Sequence, residues 1–306
     1  MKQALRIAGT TLALVFLGYV VWRGVDSMPP ITFSGSGLFS LAAALVLYTL
    51  SQLVAAGSWT ATLRAWNIVL PIGRSVCHVL LSQIGKYLPG NVAQFIGRFA
   101  LARADGIPST IIGAAILAET GLLIGAGVLI VAGVALLAPE LLGVLLEPIE
   151  ETPLGNAVWA IPALGLAAVA GVVGYLQLRL RKNGSPPMNF AWLGVPVMAH
   201  AVNFVVLGLS LVFVVDVVSP AHSIGLGYAT IVFVVAWVAG FIVPGAPGGI
   251  GIRDGIIVIG LGLVIGDGAG LTVALLHRAI SILGDALTFA FGWMVRSLTP
   301  APAEAS

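Results

Sequence analysis

The residues of this chain that could do chemistry are few and sit in apolar surroundings. Four cations (Lys86, Arg98, Arg253 and Arg278) and three acids (Glu119, Asp254 and Asp285) fall inside or beside stretches built mainly from Leu, Val, Ile, Ala and Gly. A charged side chain at the centre of a bilayer costs about 2.5–3.5 kcal/mol on insertion scales, so such residues are functional candidates by default. Arginine grips a phosphate bidentately and lysine serves it as a point charge. Together the cations read as a midplane pocket for an anionic lipid headgroup.

Two Pro-Gly motifs supply the backbone for such a pocket. Gly85-Lys86-Tyr87-Leu88-Pro89-Gly90-Asn91 leads to Gly97-Arg98, and Gly240-Phe241-Ile242-Val243-Pro244-Gly245 leads to Gly251-Ile252-Arg253-Asp254. Proline lacks an N–H and restricts the residue before it, so a helix should stop near Leu88 and a new one begin after Gly90. The same break is expected at Pro244 and Pro247. Fresh helix N-termini carry unpaired N–H groups with partial positive charge, and the glycines of 245–251 let backbone come close to a bound group. Walker and dinucleotide spacings are absent. The candidate substrate-binding set is therefore the four cations with Tyr87, Asn91, Gly248, Gly249, Gly251 and Asp254; the candidate proton-coupling groups are Glu119, Asp254 and Asp285.

Each of these residues has a structural alternative. Arg98 could snorkel to the membrane surface from a half-helix, and Arg253 and Asp254 could form an ion pair that holds the broken helix. Glu119 lies about 15 Å into its span; pairing with Arg278 would be structural, whereas a lone glutamate could carry a proton. Asp285, seven residues after Arg278 and on about the same face, suits a packing partner, and Tyr87 suits an interfacial anchor. His78, His200, His222 and His277 show no metal-ligand spacing, so no metal or other cofactor is expected.

Composition decides what must position these groups. Of 306 residues 59% are hydrophobic and 8% charged, against about 25% charged in soluble domains. This is an integral membrane protein, and a soluble enzyme or a nucleic-acid binder is excluded. The 39 glycines point to close helix contacts and broken helices. The single Cys77 excludes an internal disulfide and reads as a small core residue.

Apolar stretches long enough to cross are Leu5–Val25, Gly37–Leu63, Ser109–Leu137, Asn156–Leu178, Ala191–Val215, Ser223–Val243 and Leu271–Val295. Ser75–Leu88 with Asn91–Ala102, and Gly251–Gly266, are too short or too polar to cross comfortably alone. The expected fold is an all-α polytopic membrane protein of about eight segments, including Pro-Gly-broken or re-entrant helices. The first span also suits a signal peptide, but no small-x-small cleavage site precedes Asp26, so it reads as a retained anchor. Placing the N-terminus inside puts Lys2, Arg6, Arg64, Arg74, Arg103, Arg179, Arg181, Lys182 and Arg296 on the cytoplasmic side and only Arg23 outside. An acidic loop, Glu147–Glu151, falls outside. Both termini are then cytoplasmic, in a multi-pass protein of the cell membrane.

The two motif prolines Pro89 and Pro244 lie 155 residues apart, about half the chain, and in both motifs an arginine follows nine residues after the proline. Each half reads as two spans, a broken element and a closing span, and the halves start on opposite sides. We therefore expect two inverted repeats, residues 1–150 and 151–298, with a disordered tail at 299–306; secondary transporters of this architecture hold their sites at midplane between the halves.

Gly-Lys-Tyr-Leu-Pro-Gly at 85–90 with Gly97-Arg98, followed by Pro-Gly-x-Pro-Gly-Gly-Ile-Gly-Ile-Arg-Asp at 244–254, resembles the lysylphosphatidylglycerol synthase transmembrane-region family over nearly the whole chain. The resemblance implies lipid translocation or lipid binding. Members usually carry Glu-Arg after the first motif, Arg-Glu in the second and Arg in the final span; here these positions read Glu119-Thr120, Arg253-Asp254 and Arg278. The family's soluble aminoacyl-transfer domain has no counterpart in this sequence, so no aminoacylation by this chain is expected. The expected function is thus a flippase-like translocase with membrane lipids as partners. The alternatives are a membrane-embedded transferase or hydrolase using Asp254 or Glu119 as base, or a scaffold for a lipid synthase or glycosyltransferase. A homo-oligomer is compatible with either.

Overall fold

Long runs of Leu, Val, Ala and Gly satisfy their backbone within helices, the economical solution where water is scarce, and every regular element among the described residues is helical. The computed structural model describes residues 2–31, 34–88, 92–146, 167, 170, 171, 174, 175, 177, 178, 188–242 and 247–299. The Pro89-Gly90-Asn91 and Pro244-Gly245-Ala246 tips, most of the 156–178 stretch, the Glu147–Glu151 loop and the tail from residue 300 lie outside the described residues.

The continuous helices among the described residues are α1 (Lys2–Gly24), α2 (Gly35–Ala65), α3 (Ile72–Ser82), α4 (Ala93–Ala104), α5 (Ser109–Leu137), α6 (Pro139–Leu146), α7 (Gly194–Val218), α8 (Leu226–Ile242), α9 (Ile252–Ile265) and α10 (Asp267–Leu298). Among the described residues, four helical stretches are long and apolar enough to cross a membrane: Gly35–Ala65, Ser109–Val134, Phe190–Val218 and Asp267–Leu298. The shorter apolar Leu226–Phe241 joins them. By contrast α3 and α4, at 11 and 12 residues, extend about 16–18 Å each, little more than half of a hydrocarbon core of about 30 Å.

Local chemistry sets the boundaries. The Ser34 hydroxyl accepts from the Gly37 amide at 3.1 Å and opens α2; Asn67, in the left-handed region at φ 59, closes it. In the first broken element the helical run stops beside Leu88, as expected: the α-helix ends at Ser82 and tightens into a 3₁₀ turn over Gln83–Tyr87 before Leu88 becomes extended ahead of the proline. On the far side of the tip the chain returns close by: a Cβ on Gly85 would come within 2.7 Å of the Gln94 amide nitrogen.

α2 and α7 run together as a central pair, with α10 against α2, α3 and α9, and α1 against α9 and α10. One apolar core gathers Phe204, Leu211, Phe233, Leu261 and Leu271; a second lies around Trp59, Leu63, Leu80 and Ile112. Cys77 is fully buried in the fold. At one end of α10, Asp267 pairs with Arg23 at 2.6 Å.

At the other end of α10 a buried carboxylate gathers a basic cluster. The side chain of Asp105, between α4 and α5, is 1% exposed and takes Arg74 at 3.2 Å, Arg296 at 3.2 Å and His78 Nε2 at 2.8 Å. Trp59 Nε1 donates to His78 Nδ1 at 3.2 Å, extending the network inward. Burial alone would raise the Asp105 carboxyl, but hydrogen bonds from His78 and Arg296 and the charge of Arg296 outweigh it and hold it below its ordinary value. A depressed folded value means stability that is present above the unfolded carboxyl value, about 3.9, and lost as pH falls through the folded one. In micelles, the difference in unfolding temperature between wild type and Asp105→Asn is expected to be constant from neutral pH to about pH 5 and to shrink below about pH 4. A difference that does not change with pH would show that the charge on Asp105 is not what holds this end together.

Candidate functional site

Two charged positions on α10 anchor the two broken elements. Arg278 holds the second: its Nε and NH2 donate to the two carboxylate oxygens of Asp254 at 3.1 and 2.6 Å, and its NH1 donates to the Gly248 carbonyl at 3.0 Å. Asp285 holds the first. It takes Lys86 Nζ at 2.7 Å, accepts from the Tyr48 hydroxyl at 3.1 Å, and accepts from the Tyr87 hydroxyl. The elements also touch one another, because a Cβ on Gly248 would lie 3.5 Å from the Tyr87 ring. Gly248, Gly249 and Gly251 all have positive φ, at 56, 74 and 90°, which glycine adopts without steric cost. The Gly251 amide, in turn, donates to Asp254 at 3.4 Å as α9 begins.

Beside these anchors lies a cavity of about 140 Å³, walled by α2, α4, α5, α7, α8 and α9. Arg98 and Arg253 enter it from α4 and α9. Arg98 pairs with Glu119 of α5 and lies with its guanidinium carbon 5.1 Å from the Trp59 ring centre. Arg253 lies 4.8 Å over Phe233, and its NH2 approaches His277 Nδ1 at 3.4 Å. It is 8% exposed and has no carboxylate at ion-pair distance among the described residues. The Nε atoms of Arg98 and Arg253, His200 Nδ1 and Asn203 Oδ1 are buried without a hydrogen-bond partner among the described residues. Neutral polar groups complete the wall: Gln83 donates to Gln52 at 2.9 Å and Ser58 contacts His200 at 2.9 Å. An aromatic pair, Trp237 stacked on Phe241 at 5.2 Å, lies on another side.

The arrangement can bind an anion. A buried charge left without a counter-charge costs several kcal/mol, and a cation–π contact returns only about 2 kcal/mol when desolvated. The lining carries three cations: Asp285 answers Lys86 and Glu119 answers Arg98, while Arg253 has no carboxylate at ion-pair distance among the described residues. Among the described residues no group of His, Cys, Asp and Glu could hold a metal ion.

Several pairings differ from those read in the sequence. Glu119 neither pairs with Arg278 nor stands alone; it meets Arg98, 21 residues earlier. The Arg253–Asp254 pair does not form, because Asp254 is turned to Arg278. Arg98 does not snorkel but is buried, and the Tyr87 hydroxyl is committed to Asp285. Of the candidate binding residues, Lys86, Arg98, Gly248, Gly249 and Arg253 line the cavity, as does Glu119 from the proton-coupling set; Tyr87, Gly251, Asp254, Arg278 and Asp285 do not. Asn91 lies outside the described residues. The sequence reading missed Gln52, Gln83, Gln94, His200, Asn203 and His277. The available signal was a neutral polar side chain in mid-span, as at Gln52, His200 and Asn203.

Gly249 keeps Arg253 in place. A Cβ there would fall 3.1 Å from the Arg253 Cβ, at a φ of 74°. Gly249→Ala is expected to cost about 1–2 kcal/mol of stability from the left-handed backbone, seen as a lower unfolding midpoint in micelles. An unchanged midpoint would show that the backbone and Arg253 accommodate the methyl group.

No protein-family model matches this chain, and no curated protein matches it.

Proposed function

We propose that this chain is a lipid translocase of the cell membrane, which binds the anionic headgroup of a phospholipid or glycolipid in the central cavity and passes it between leaflets. The observation that carries the reading is Arg253, a buried guanidinium with no carboxylate at ion-pair distance among the described residues, in a cavity that also holds Arg98. The proposed architecture is an inverted repeat. Shifted by 155 residues, α2 falls on α7, α3 on α8, α4 on α9 and α5 on α10, and Arg98 falls on Arg253. The same shift carries Glu119 to Ala274. The first half therefore neutralises its own arginine and the second does not, which leaves a site suited to a negative guest rather than a closed ion pair.

The half-length α3, α4 and α9 suit re-entrant or broken segments that bring backbone to midplane, with both termini cytoplasmic and the Arg74–Asp105–Arg296 cluster on that side. The resemblance to the lysylphosphatidylglycerol synthase transmembrane region points the same way. The transferase reading has less support, since Glu119 and Asp254 are each engaged by an arginine. The test is reconstitution in vesicles carrying a fluorescent anionic phospholipid on both leaflets, with an impermeant quencher outside. The folded protein is expected to expose the inner-leaflet pool with its headgroup chemically unchanged by mass spectrometry. An inner pool that stays protected overturns translocation, and a modified headgroup overturns it in favour of the transferase.

A further inference from the structure

On another face of α2 from the cavity runs a second, wider hollow that plays no part in the site above. Leu53, Gly57, Thr60, Ala61 and Arg64 form its α2 wall, at the spacing of one helix face. α3, the chain around Trp192 and the last turns of α10 close its sides, around a volume of about 550 Å³. Leu53 and Arg64 lie eleven positions apart on α2, about 16 Å, which is half of a hydrocarbon core of about 30 Å. The hollow therefore has the length of one leaflet.

Its chemistry is graded along that length. Phe291, Leu53 and Val76 make the deep part apolar, and a Cβ on Gly57 would meet nothing within 4 Å, so the floor is open. Among the described residues the one ionised side chain of its lining is Arg64, at the last turn of α2. It belongs to the end of the fold where Arg74 and Arg296 gather on Asp105. Its guanidinium carbon lies 5.1 Å from the centre of the Trp192 ring, the pairing of cation and indole that sits at headgroup depth. Arg64 has no carboxylate at ion-pair distance among the described residues.

We infer that this hollow is a second lipid site, which holds one acyl chain of a membrane phospholipid along α2 with its phosphate on Arg64. An apolar helix of a second copy would fill the deep part but leave the cation unanswered. A phospholipid satisfies both ends at once. A lipid with net negative charge is preferred to a zwitterionic one, whose amine the guanidinium repels.

The test reads the fluorescence of Trp192, taken as the difference between the full chain and Trp192→Phe, in vesicles of phosphatidylcholine. Brominated phosphatidylglycerol and brominated phosphatidylcholine are the two probes. Brominated phosphatidylglycerol is expected to half-quench Trp192 at about one fifth the mole fraction, the worth of one cation near an anionic surface. Arg64→Gln is expected to bring the two lipids to the same fraction. Gly57→Leu, whose side chain enters open space, is expected to lower quenching by both several-fold with helical content unchanged. Equal fractions for the two lipids in the wild-type chain, or quenching indifferent to Gly57→Leu, overturns the assignment. So does a Trp192 shielded from both lipids in a chain that cross-links to itself, which would place a second copy in the hollow. Headgroup movement across the membrane is not read in this experiment, so its result stands apart from that of the translocation assay.

Discussion

Replacing Arg253 by alanine is expected to abolish movement of an anionic headgroup while leaving the protein folded and no less stable. Most buried charges cannot be removed so freely, because a partner is left behind. Here the guanidinium rests on Phe233 and His277, and among the described residues no carboxylate loses an ion-pair partner with it. Burying an uncompensated charge is a cost the fold carries, so its removal should leave the unfolding midpoint unchanged or raise it. The binding function falls instead: hydrogen bonds to charged groups contribute about 1.5–3 kcal/mol each, which corresponds to roughly a 10- to 100-fold loss of affinity for an anion. Arg253→Lys keeps the charge but not the planar fork and is expected to fall between the two. The vesicle assay with a fluorescent anionic phospholipid, run beside thermal unfolding, separates these effects. Wild-type flipping rates in Arg253→Ala would remove this residue from the site, and a large loss of stability would show that it is a structural prop.

The opposite balance is expected at Asp285. Its side chain is 1% exposed and carries Lys86, Tyr48 and Tyr87 on two oxygens. Asp285→Ala leaves the Lys86 ammonium largely enclosed and two hydroxyls without their acceptor. Breaking a buried ion pair from one side typically costs about 3–5 kcal/mol, a large share of the 5–15 kcal/mol that folded domains have in total. The loss should be local first. Amide hydrogen exchange is expected to speed up at residues 83–88 in the variant before any other segment, and the denaturation midpoint in micelles should drop. Adding Lys86→Met removes the orphaned charge as well and is expected to restore part of the lost stability, a coupling that a double-mutant cycle measures directly. If the double variant is as unstable as the sum of the singles, Lys86 and Asp285 are not partners in solution.

What could be read from the sequence, and what could not, follows from the range of the forces involved. Helix formation in apolar stretches is a local property, so α2, α5, α7 and α10 fall on the expected spans to within a few residues at most boundaries. The arginines after the two Pro-Gly motifs could be singled out because a charge in an apolar run is costly wherever it ends up. Which acid meets which cation is another matter, since the choice between Arg98 and Arg278 for Glu119 depends on how helices distant in sequence are set beside each other. The Asp105 cluster escaped for a related reason: charges in a short connection are ordinarily solvated, and nothing local marks Asp105 as covered by α3 and α10. Neutral residues such as Asn203 and His200 carry no formal charge to draw attention, although a polar group buried without a partner is costly too.

The separation of Arg278 and Asp285 has a mechanical consequence. Seven residues of helix advance about 10.5 Å and fall within about 20° of two full turns, so both anchors project from one side of α10 at a fixed gap. A thicker or thinner bilayer makes a helix tilt rather than stretch. The distance between the two fastening points is therefore a constant of the molecule, indifferent to the thickness of the membrane around it.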